Sequence, residues 1–565
     1  MTFKNSVKLT LSVSVLVFLA ACGEKNYLTP LGEEQAVKAA KNVGASAPVP
    51  GETVANPGGK AAPSAPTTAP VVEEIEPITQ ASSAAANTAS APNFILMIGD
   101  DMGVETISCY NVANVAAHTP NLNEMCNTGM RFDNFWAQPV CSPTRATLIS
   151  GQYGFINGVG APLGPTPDIE WNVPGGPVDD DPAAPMAGGG MAMGMGAGAI
   201  AVKSDVDLTA GAPAPVAPSE NSTEGIRADI YTFIEALKTD DAKGYVTAAV
   251  GKWHLSGSGN AGLAHPNQIG FDRYIGPMRG GGIADYRGWS KSINGGDPFG
   301  KLGYITSDTV DDGIDFIDSV KGKNPFFLWV AFNAPHTPFH MPPKSLLTSN
   351  LKNVEPDIAT PLEQYNAMLE AMDTEIGRLL ESLDPATRAN TYVVFMGDNG
   401  TPGQAGQTVP YGRTKSKGSL YQGGVNVPFI VTGPNVQSSA TNALANSVDI
   451  YNTVLDLSSI NPPKAREAIH SVSLRPVFEN ANASVRDFAY ADVFGVSGPT
   501  QKNLRTIRND RYKYIEDIME NTVEFYDLQS DPFENNNLLK AELSAEAQQN
   551  LASLKKELAE LVNKR

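Results

Sequence analysis

Four continuous apolar runs punctuate the chain and restrict its fold more than any other feature: NFILMIG (93–99), YVTAAVG (245–251), PFFLWVAF (325–332) and TYVVFMG (391–397). Runs rich in Val, Ile and Phe without polar alternation suit strands buried on both faces, as in sheets that helices cover on each side. The fold class is therefore α/β. Between the last two runs, LEQYNAMLEAMDTEIGRLLESLD sets Tyr365, Met368, Met372, Ile376, Leu379 and Leu383 at helical spacing, which predicts a helix packed on the sheet. Each run ends in polar residues: Asp100 and Asp101; Lys252 and His254; His336 after Asn333-Ala334-Pro335; Asp398 and Asn399. Open α/β sheets bind ligands beyond the carboxyl ends of their strands, so parallel neighbours would gather these residues in one crevice. A single Asp or Gly after a strand is ordinary turn chemistry, whereas four such endings point to a site.

The set is chemically coherent. Asp100, Asp101, Asp398 and Asn399 offer only oxygen donors, which suits a hard divalent cation, Ca²⁺ or Mg²⁺, rather than zinc. Lys252, His254, His336, Arg145 and Lys417 add donors and positive charge, the surroundings that a tetrahedral oxyanion requires. Such a local cationic pocket is needed because the chain as a whole repels anions: it carries 41 basic and 60 acidic residues. That balance also excludes nucleic acid as an expected partner.

The ends carry their own signals. Lys4 and Lys8 precede an apolar run from Leu9 to Ala21, the pattern of a secretory signal over residues 1–21 and too short for a membrane span. The sequence Leu19-Ala20-Ala21-Cys22 resembles the lipobox of bacterial lipoproteins, which implies a lipid anchor on Cys22. With Gly23 next, the expected location is exported and membrane-anchored, at the outer membrane facing the periplasm or cell surface. Cleavage would remove two lysines and no acid, leaving 39 basic against 60 acidic residues and a formal charge of −21. Residues 22–91, dominated by Ala, Pro, Ser, Thr and Gly, read as a flexible tether of about 45 Å root-mean-square span. A second biased stretch, 161–221, contains MAGGGMAMGMGAGAIAV and reads as an insertion loop with an apolar lid.

Several segments together resemble one family: PNFILMIGDDMG, TPNLNEMCNTGMRFDNFWAQPVCSPTRATLISGQY, GKWHL, APHTPFHMP, GDNG, KGSLYQGGVNVPFIV and FYDLQSDPFENNNL. Over most of residues 92–540 the chain looks like a type I sulfatase of the alkaline phosphatase superfamily. The most specific piece is CSPTR, which resembles the family signature C-x-P-x-R. The resemblance implies that a maturation enzyme oxidises Cys141 to formylglycine, whose hydrate is the nucleophile. It implies further that Asp100, Asp101, Asp398, Asn399 and residue 141 bind the metal, and that Arg145 holds the diol. Lys252 and Lys417 would grip sulfate oxygens. His254 would assist collapse of the diol, and His336 would protonate the leaving oxygen or orient the sulfate.

The same resemblance implies a large alkaline-phosphatase-like domain over residues 92–464, with a mostly parallel sheet between helices. A small C-terminal domain, 465–565, would consist of an antiparallel sheet and the helix of AELSAEAQQNLASLKKELAELVNK. Ser256 follows GKWHL where the family usually has Gly, and Gln422 and Asn426 stand where it usually has Glu and Arg; the segment GFINGVG is also unusual. Cys109 and Cys126 form either a disulfide or two buried thiols. The expected activity is hydrolysis of a sulfate ester, in a glycan or a small molecule. A phosphonate or phosphate ester hydrolase of the same superfamily, and an inactive glycan-binding lipoprotein, are the alternatives.

Overall fold

All four apolar runs form strands, and they lie side by side. The computed structural model describes residues 91–113, 115–163, 225, 226, 229–239, 243–257, 260–277, 285–406, 410–462, 470–495 and 503–563. Ten strands build the main sheet: β1 (Asn93–Gly99), β2 (Met130–Phe132), β3 (Val246–Gly251), β4 (Arg273–Gly276), β5 (Gly288–Ile293), β6 (Phe299–Leu302), β7 (Phe326–Ala331), β8 (Thr391–Gly397), β9 (Phe429–Thr432) and β10 (Ser439–Thr441). Their order is β10-β2-β9-β8-β1-β7-β3-β4-β5-β6. The contiguous group β8-β1-β7-β3 is parallel throughout, with Ile98 of β1 in register with Met396 on one side and Ala331 on the other. Strand β9 runs antiparallel to both β8 and β2, and β10 runs parallel to β2. The carboxyl ends of β2 and β10 therefore share the sheet edge at which β8, β1, β7 and β3 end.

The pleat sends successive side chains of β1 to opposite faces. Phe94, Leu96 and Ile98 pack with α2 (Cys141–Ser150), α3 (Phe233–Thr239) and α6 (Asp449–Ser458). Ile95 and Met97 face α1 (Pro120–Thr128), α4 (Ile305–Val320) and α5 (Pro361–Glu381). Helix α5 is the one predicted from helical spacing, and all six of its marker residues, through Leu383 just past its end, are buried. A capping box between Thr360 and Glu363 starts it, with Pro361 at the first turn, where a missing N–H is harmless.

A second, antiparallel sheet follows: β11 (Ala489–Phe494), β12 (Asn503–Arg508), β13 (Tyr512–Asp517) and β14 (Thr522–Asp527). Helix α7 (Ala545–Asn563) buries Leu554 and Leu558 in one cluster with Ile507, Tyr512, Tyr514 and Phe525. Glu534 locks this sheet to the main body: its carboxylate pairs with Lys513 at 2.6 Å and accepts from the Gln422 N–H at 2.6 Å. Cys109 and Cys126 form a disulfide, with an S–S distance of 2.06 Å, joining the segment after β1 to α1. The signal 1–21, Cys22, the tether up to residue 90, the insert from 164 to 221 and the expected boundary at 464/465 lie outside the described residues. Among the described residues, no helix is long and apolar enough to cross a membrane.

Gly251, at the end of β3, has φ of 85°, and a Cβ there would lie 2.0 Å from the Ala331 carbonyl oxygen on β7. Only glycine allows this close approach without strain. Gly251→Ala is expected to destabilise the protein by at least about 2 kcal/mol, read as a lower denaturation midpoint. An unchanged midpoint would show that β3 and β7 can separate freely at that point.

Candidate active site

The strand ends are stitched together before any side chain contributes. Asp100 N–H donates to the Ala334 carbonyl at 3.0 Å, Asp398 N–H to that of Gly99 at 3.0 Å, and Lys252 N–H to that of Ala331 at 2.8 Å. Asp101 sits in the left-handed region with φ of 71°, uncommon for a residue with a Cβ. Two hydrogen bonds hold it there: its N–H donates to Asp398 Oδ1 at 3.1 Å, and the Tyr365 hydroxyl donates to its carbonyl at 2.7 Å.

CSPTR forms the first turn of α2. Val140 is the extended residue ahead of the helix, Cys141 begins it, and all ten residues of α2 are buried. Residues 141 and 145 stand four apart and so share one helix face. Gly151, with φ of 62°, ends the helix in the left-handed conformation, its N–H donating to the Thr147 carbonyl. Thr144, between them, donates to the Asp398 carbonyl at 2.6 Å, fixing the helix to the end of β8.

On this frame all ten candidate catalytic and metal-binding residues meet. Lys252 pairs with Asp100. Arg145 donates to Asp398 Oδ2 through Nε at 3.1 Å and Nη2 at 2.8 Å, and to the Lys252 carbonyl at 2.8 Å. Lys417 donates to Asp101 Oδ2 at 2.7 Å, and Asn399 Nδ2 to Asp101 Oδ1 at 2.8 Å. His336 Nε2 lies 3.7 Å from Asp101 Oδ2, with Nδ1 at 2.9 Å from the Thr337 carbonyl. His254 places Nδ1 3.2 Å from Cys141 Sγ and Nε2 3.1 Å from the Leu163 carbonyl. Cys22 lies outside the described residues.

Burial dominates the electrostatics. It lifts Asp100 to about 8, helped by the neighbouring Asp398 and opposed by Lys252. Asp101 is equally buried, yet Lys417, His336 and Lys252 outweigh that and hold it well below the usual carboxylate range. The Cys141 thiol is pushed up to about 11 by burial, against the pull of Lys252. Burial also drives His254 well below the ordinary imidazole value and His336 down to about 4, so both rings are neutral at pH 7.

The donor set fits a divalent cation. Single ligand atoms of Asp100, Cys141 and Asp398 lie within 4.8 Å of one another. Asp100 Oδ1 and Asn399 Oδ1 are buried without a hydrogen-bond partner, a costly state for an oxygen unless a cation meets it. Oxygen donors such as these favour hard divalent cations, of which Ca²⁺ and Mg²⁺ are the ones to test. Titrating either ion into chelator-treated protein should therefore raise its melting temperature, with about 2.7 kcal/mol of stabilisation at a hundredfold excess over Kd. Asp100→Ala should lose that response. A melting temperature indifferent to both ions would refute the site.

Four supporting groups are not marked as functional in the sequence: Thr144, the Tyr365 hydroxyl, the Leu163 carbonyl, and Tyr286, whose hydroxyl donates to the Asn333 and His336 carbonyls at 2.6 and 2.7 Å. Thr144 was within reach, standing inside CSPTR. The others act through backbone atoms brought from remote segments and leave no local signal.

Comparison with known proteins accounts for this arrangement. The sulfatase family model matches residues 92–172 and 213–460, and a second model, described as the C-terminal part of N-sulphoglucosamine sulphohydrolase, matches 414–564. Arylsulfatase G of Rattus norvegicus is 26% identical over 479 residues, covering 75% of this chain and 76% of the relative. Human N-acetylgalactosamine-6-sulfatase is 27% identical over 428 residues, covering 71% and 68%. Among solved structures, Ps i-CgsB in complex with k-i-k-neocarrahexaose superposes with a TM-score of 0.62 at 22% identity, over 84% of this chain and 93% of that one. BT4656 in complex with its substrate D-glucosamine-2-N,6-O-disulfate gives 0.58 at 21% identity, over 84% and 98%. With the family model matched across more than half its length, this chain belongs to the sulfatase family and is a sulfuric ester hydrolase.

Proposed function

We propose that the enzyme removes sulfate from sulfated glycans, using a formylglycine made from Cys141 and one divalent metal ion, Ca²⁺ or Mg²⁺. The observation that carries this is the position of Cys141: it opens a fully buried helix, one turn from Arg145 and against the Asp100 and Asp398 carboxylates. The glycan reading is supported by the relatives, whose names specify sugars: an N-acetylgalactosamine-6-sulfatase and a protein whose substrate is D-glucosamine-2-N,6-O-disulfate.

A hydrated formylglycine with a metal ion would supply one oxygen to attack sulfur and a second to expel sulfate from the enzyme. The chain's own residues orient and charge that chemistry. His254 donates Nε2–H to the Leu163 carbonyl, which leaves the Nδ1 lone pair facing residue 141, ready to accept a proton there. Arg145 cannot swing away, because Asp398 and the Lys252 carbonyl hold its fork, so its charge stays fixed beside residue 141. Lys252 and Lys417 bring ammonium groups to the two sides of the cluster, where sulfate oxygens would bind. His336, whose Nδ1–H donates to the Thr337 carbonyl, is neutral at pH 7; it would orient the sulfate, or protonate the leaving oxygen once the bound oxyanion has raised its proton affinity.

The proposal extends to the cell. The LAAC sequence and the Ala/Pro-rich stretch after it support export as a lipoprotein held at the outer membrane through Cys22, with the sulfatase reaching its substrate on a tether. A formylglycine-generating enzyme is the required maturation partner.

Mass spectrometry of the peptide containing Cys141, from protein matured with that partner, should show an aldehyde in place of the thiol. Cys141→Ala should lower sulfate release by at least about a thousandfold. An intact thiol in fully active enzyme would overturn the mechanism. Sulfated amino sugars should be turned over in preference to the matching phosphate esters; the reverse preference would favour a phosphoesterase, and binding without turnover a glycan-binding protein.

The tether predicts separability. A chain beginning at residue 88 should keep its melting temperature and specific activity, whereas full-length Cys22→Ala should be released from the membrane fraction. Loss of folding on truncation would place part of residues 1–87 within the catalytic body.

A further inference from the structure

At the same sheet edge as the catalytic cluster, but on its far flank, lies an open polar cleft of about 920 Å³. Its walls come from the carboxyl ends of β2 (Asp133, Asn134) and β10 (Thr441, Asn442), and from Asn426 just before the antiparallel β9. Arg508, at the end of β12, closes it from the second sheet. Two of the segments that line it run on in the chain into the catalytic ones. Asn134 lies seven residues before Cys141, at most about 25 Å even if fully extended, and Tyr411 and Gln422 bracket Lys417.

Arg508 is the unusual member. It is only 3% exposed, yet among the described residues it makes no ion pair. Its three nitrogens donate to neutral oxygens: Nε to the Asn509 carbonyl at 2.9 Å, Nη1 to Asn134 Oδ1 at 2.9 Å, and Nη2 to the Asp510 carbonyl at 2.8 Å. A guanidinium has five N–H groups, so one on each Nη is left outside these bonds, and its carbon lies 6.0 Å from the centre of the Trp136 ring. Burial pulls Arg508 down to about 10 despite Asp510 and Glu534. Of the other charges on the cleft, Asp133 pairs with Arg131 and Arg511 with Asp527 and Glu546, while Asp510 leaves one carboxylate beside Arg508 that a bound anion must avoid. Asn426 adds a buried Oδ1 without a partner. Gln422 and Asn426, where the chain departs from the family pattern, both line the cleft.

We propose that this cleft is a second binding site, at which Arg508 pairs with an anionic substituent, sulfate or carboxylate, on a sugar remote from the one being desulfated. The glycan would lie along the sheet edge, with one unit at Cys141 and another over Arg508. The inference rests on the glycan reading above and adds an extended, multiply charged chain as the substrate class.

The test is direct binding of fluorescent dextran sulfate, polygalacturonate and neutral dextran, read by anisotropy, beside turnover of a small aryl sulfate. Arg508→Gln should weaken binding of the preferred anionic polymer at least about tenfold, as expected for loss of a charged hydrogen bond. Because Arg508 also supports its loop, Ser484→Glu provides a second variant: an exposed rim position of the same cleft, where added negative charge should weaken binding a few-fold. Both should leave aryl sulfate turnover unchanged, and whichever anionic polymer binds identifies the substituent. Unaltered polymer binding in both variants, or equal binding of neutral dextran, would overturn the second site. Failure of the glycan reading would show separately, as absence of sulfate release from any glycan while polymer binding persists.

Discussion

Three carboxylates removed from water set the terms for the rest of this molecule. Asp100, Asp101 and Asp398 are each no more than 1% exposed. Two like charges within 4.8 Å repel by roughly 3 kcal/mol even at an effective dielectric near 20, and burial adds a desolvation penalty. Such a group survives only where countercharges are held in place. Lys252 meets Asp100, Lys417 meets Asp101, and Arg145 grips Asp398, each from a different segment of the chain. The sheet exists, in functional terms, to make those segments converge, and the parallel order β8-β1-β7-β3 is what brings their carboxyl ends to one edge.

The second sheet supports this arrangement from behind. Glu534 binds Lys513 and the Gln422 N–H, and Gln422 in turn accepts a hydrogen bond from Trp136 Nε1 at 2.9 Å. The Gln138 side chain accepts from the Asp492 N–H at 2.9 Å. Trp136 and Gln138 lie on the approach to Cys141, and Gln422 lies five residues beyond Lys417. The C-terminal sheet thus restrains both catalytic segments without placing an ionisable group in the cluster itself.

This division explains what could be read from the sequence. The four central strands announce themselves, because a strand buried on both faces must be apolar at every position, and the polar residues just beyond them are then conspicuous. Helix α5 was legible for the complementary reason, its single buried face repeating every three or four residues. Strands β2, β9 and β10 were not singled out: at three or four residues they are too short for a periodicity to register. The partners of the catalytic side chains were equally hidden. Arg145 was expected to hold the nucleophile, but nothing local told that its fork is fixed by Asp398 and a backbone carbonyl. The left-handed conformations of Asp101 and His254 are imposed by surrounding structure, and the Cys109–Cys126 pairing was open until the two were seen together.

The charge balance finally bears on how so acidic a chain takes an anionic substrate. Within the cluster, Lys252, Lys417 and Arg145 are tied to Asp100, Asp101 and Asp398, and both histidines are neutral, so without a metal the cations are bound to acids rather than offered to an oxyanion, and burial holds Asp100 up at about 8. A divalent cation on the Asp100, Asp101, Asp398 and Asn399 oxygens would shift that balance by two positive charges and free the lysines to turn toward sulfate. Cation and substrate would then be coupled: the carboxylates that tie up the site's positive charges are the ones that would hold the metal, and a bound metal would make the site receptive to an anion. The excess of acidic residues opposes anions at long range, so capture depends on local cationic sites, the metal-loaded crevice and the Arg508 cleft.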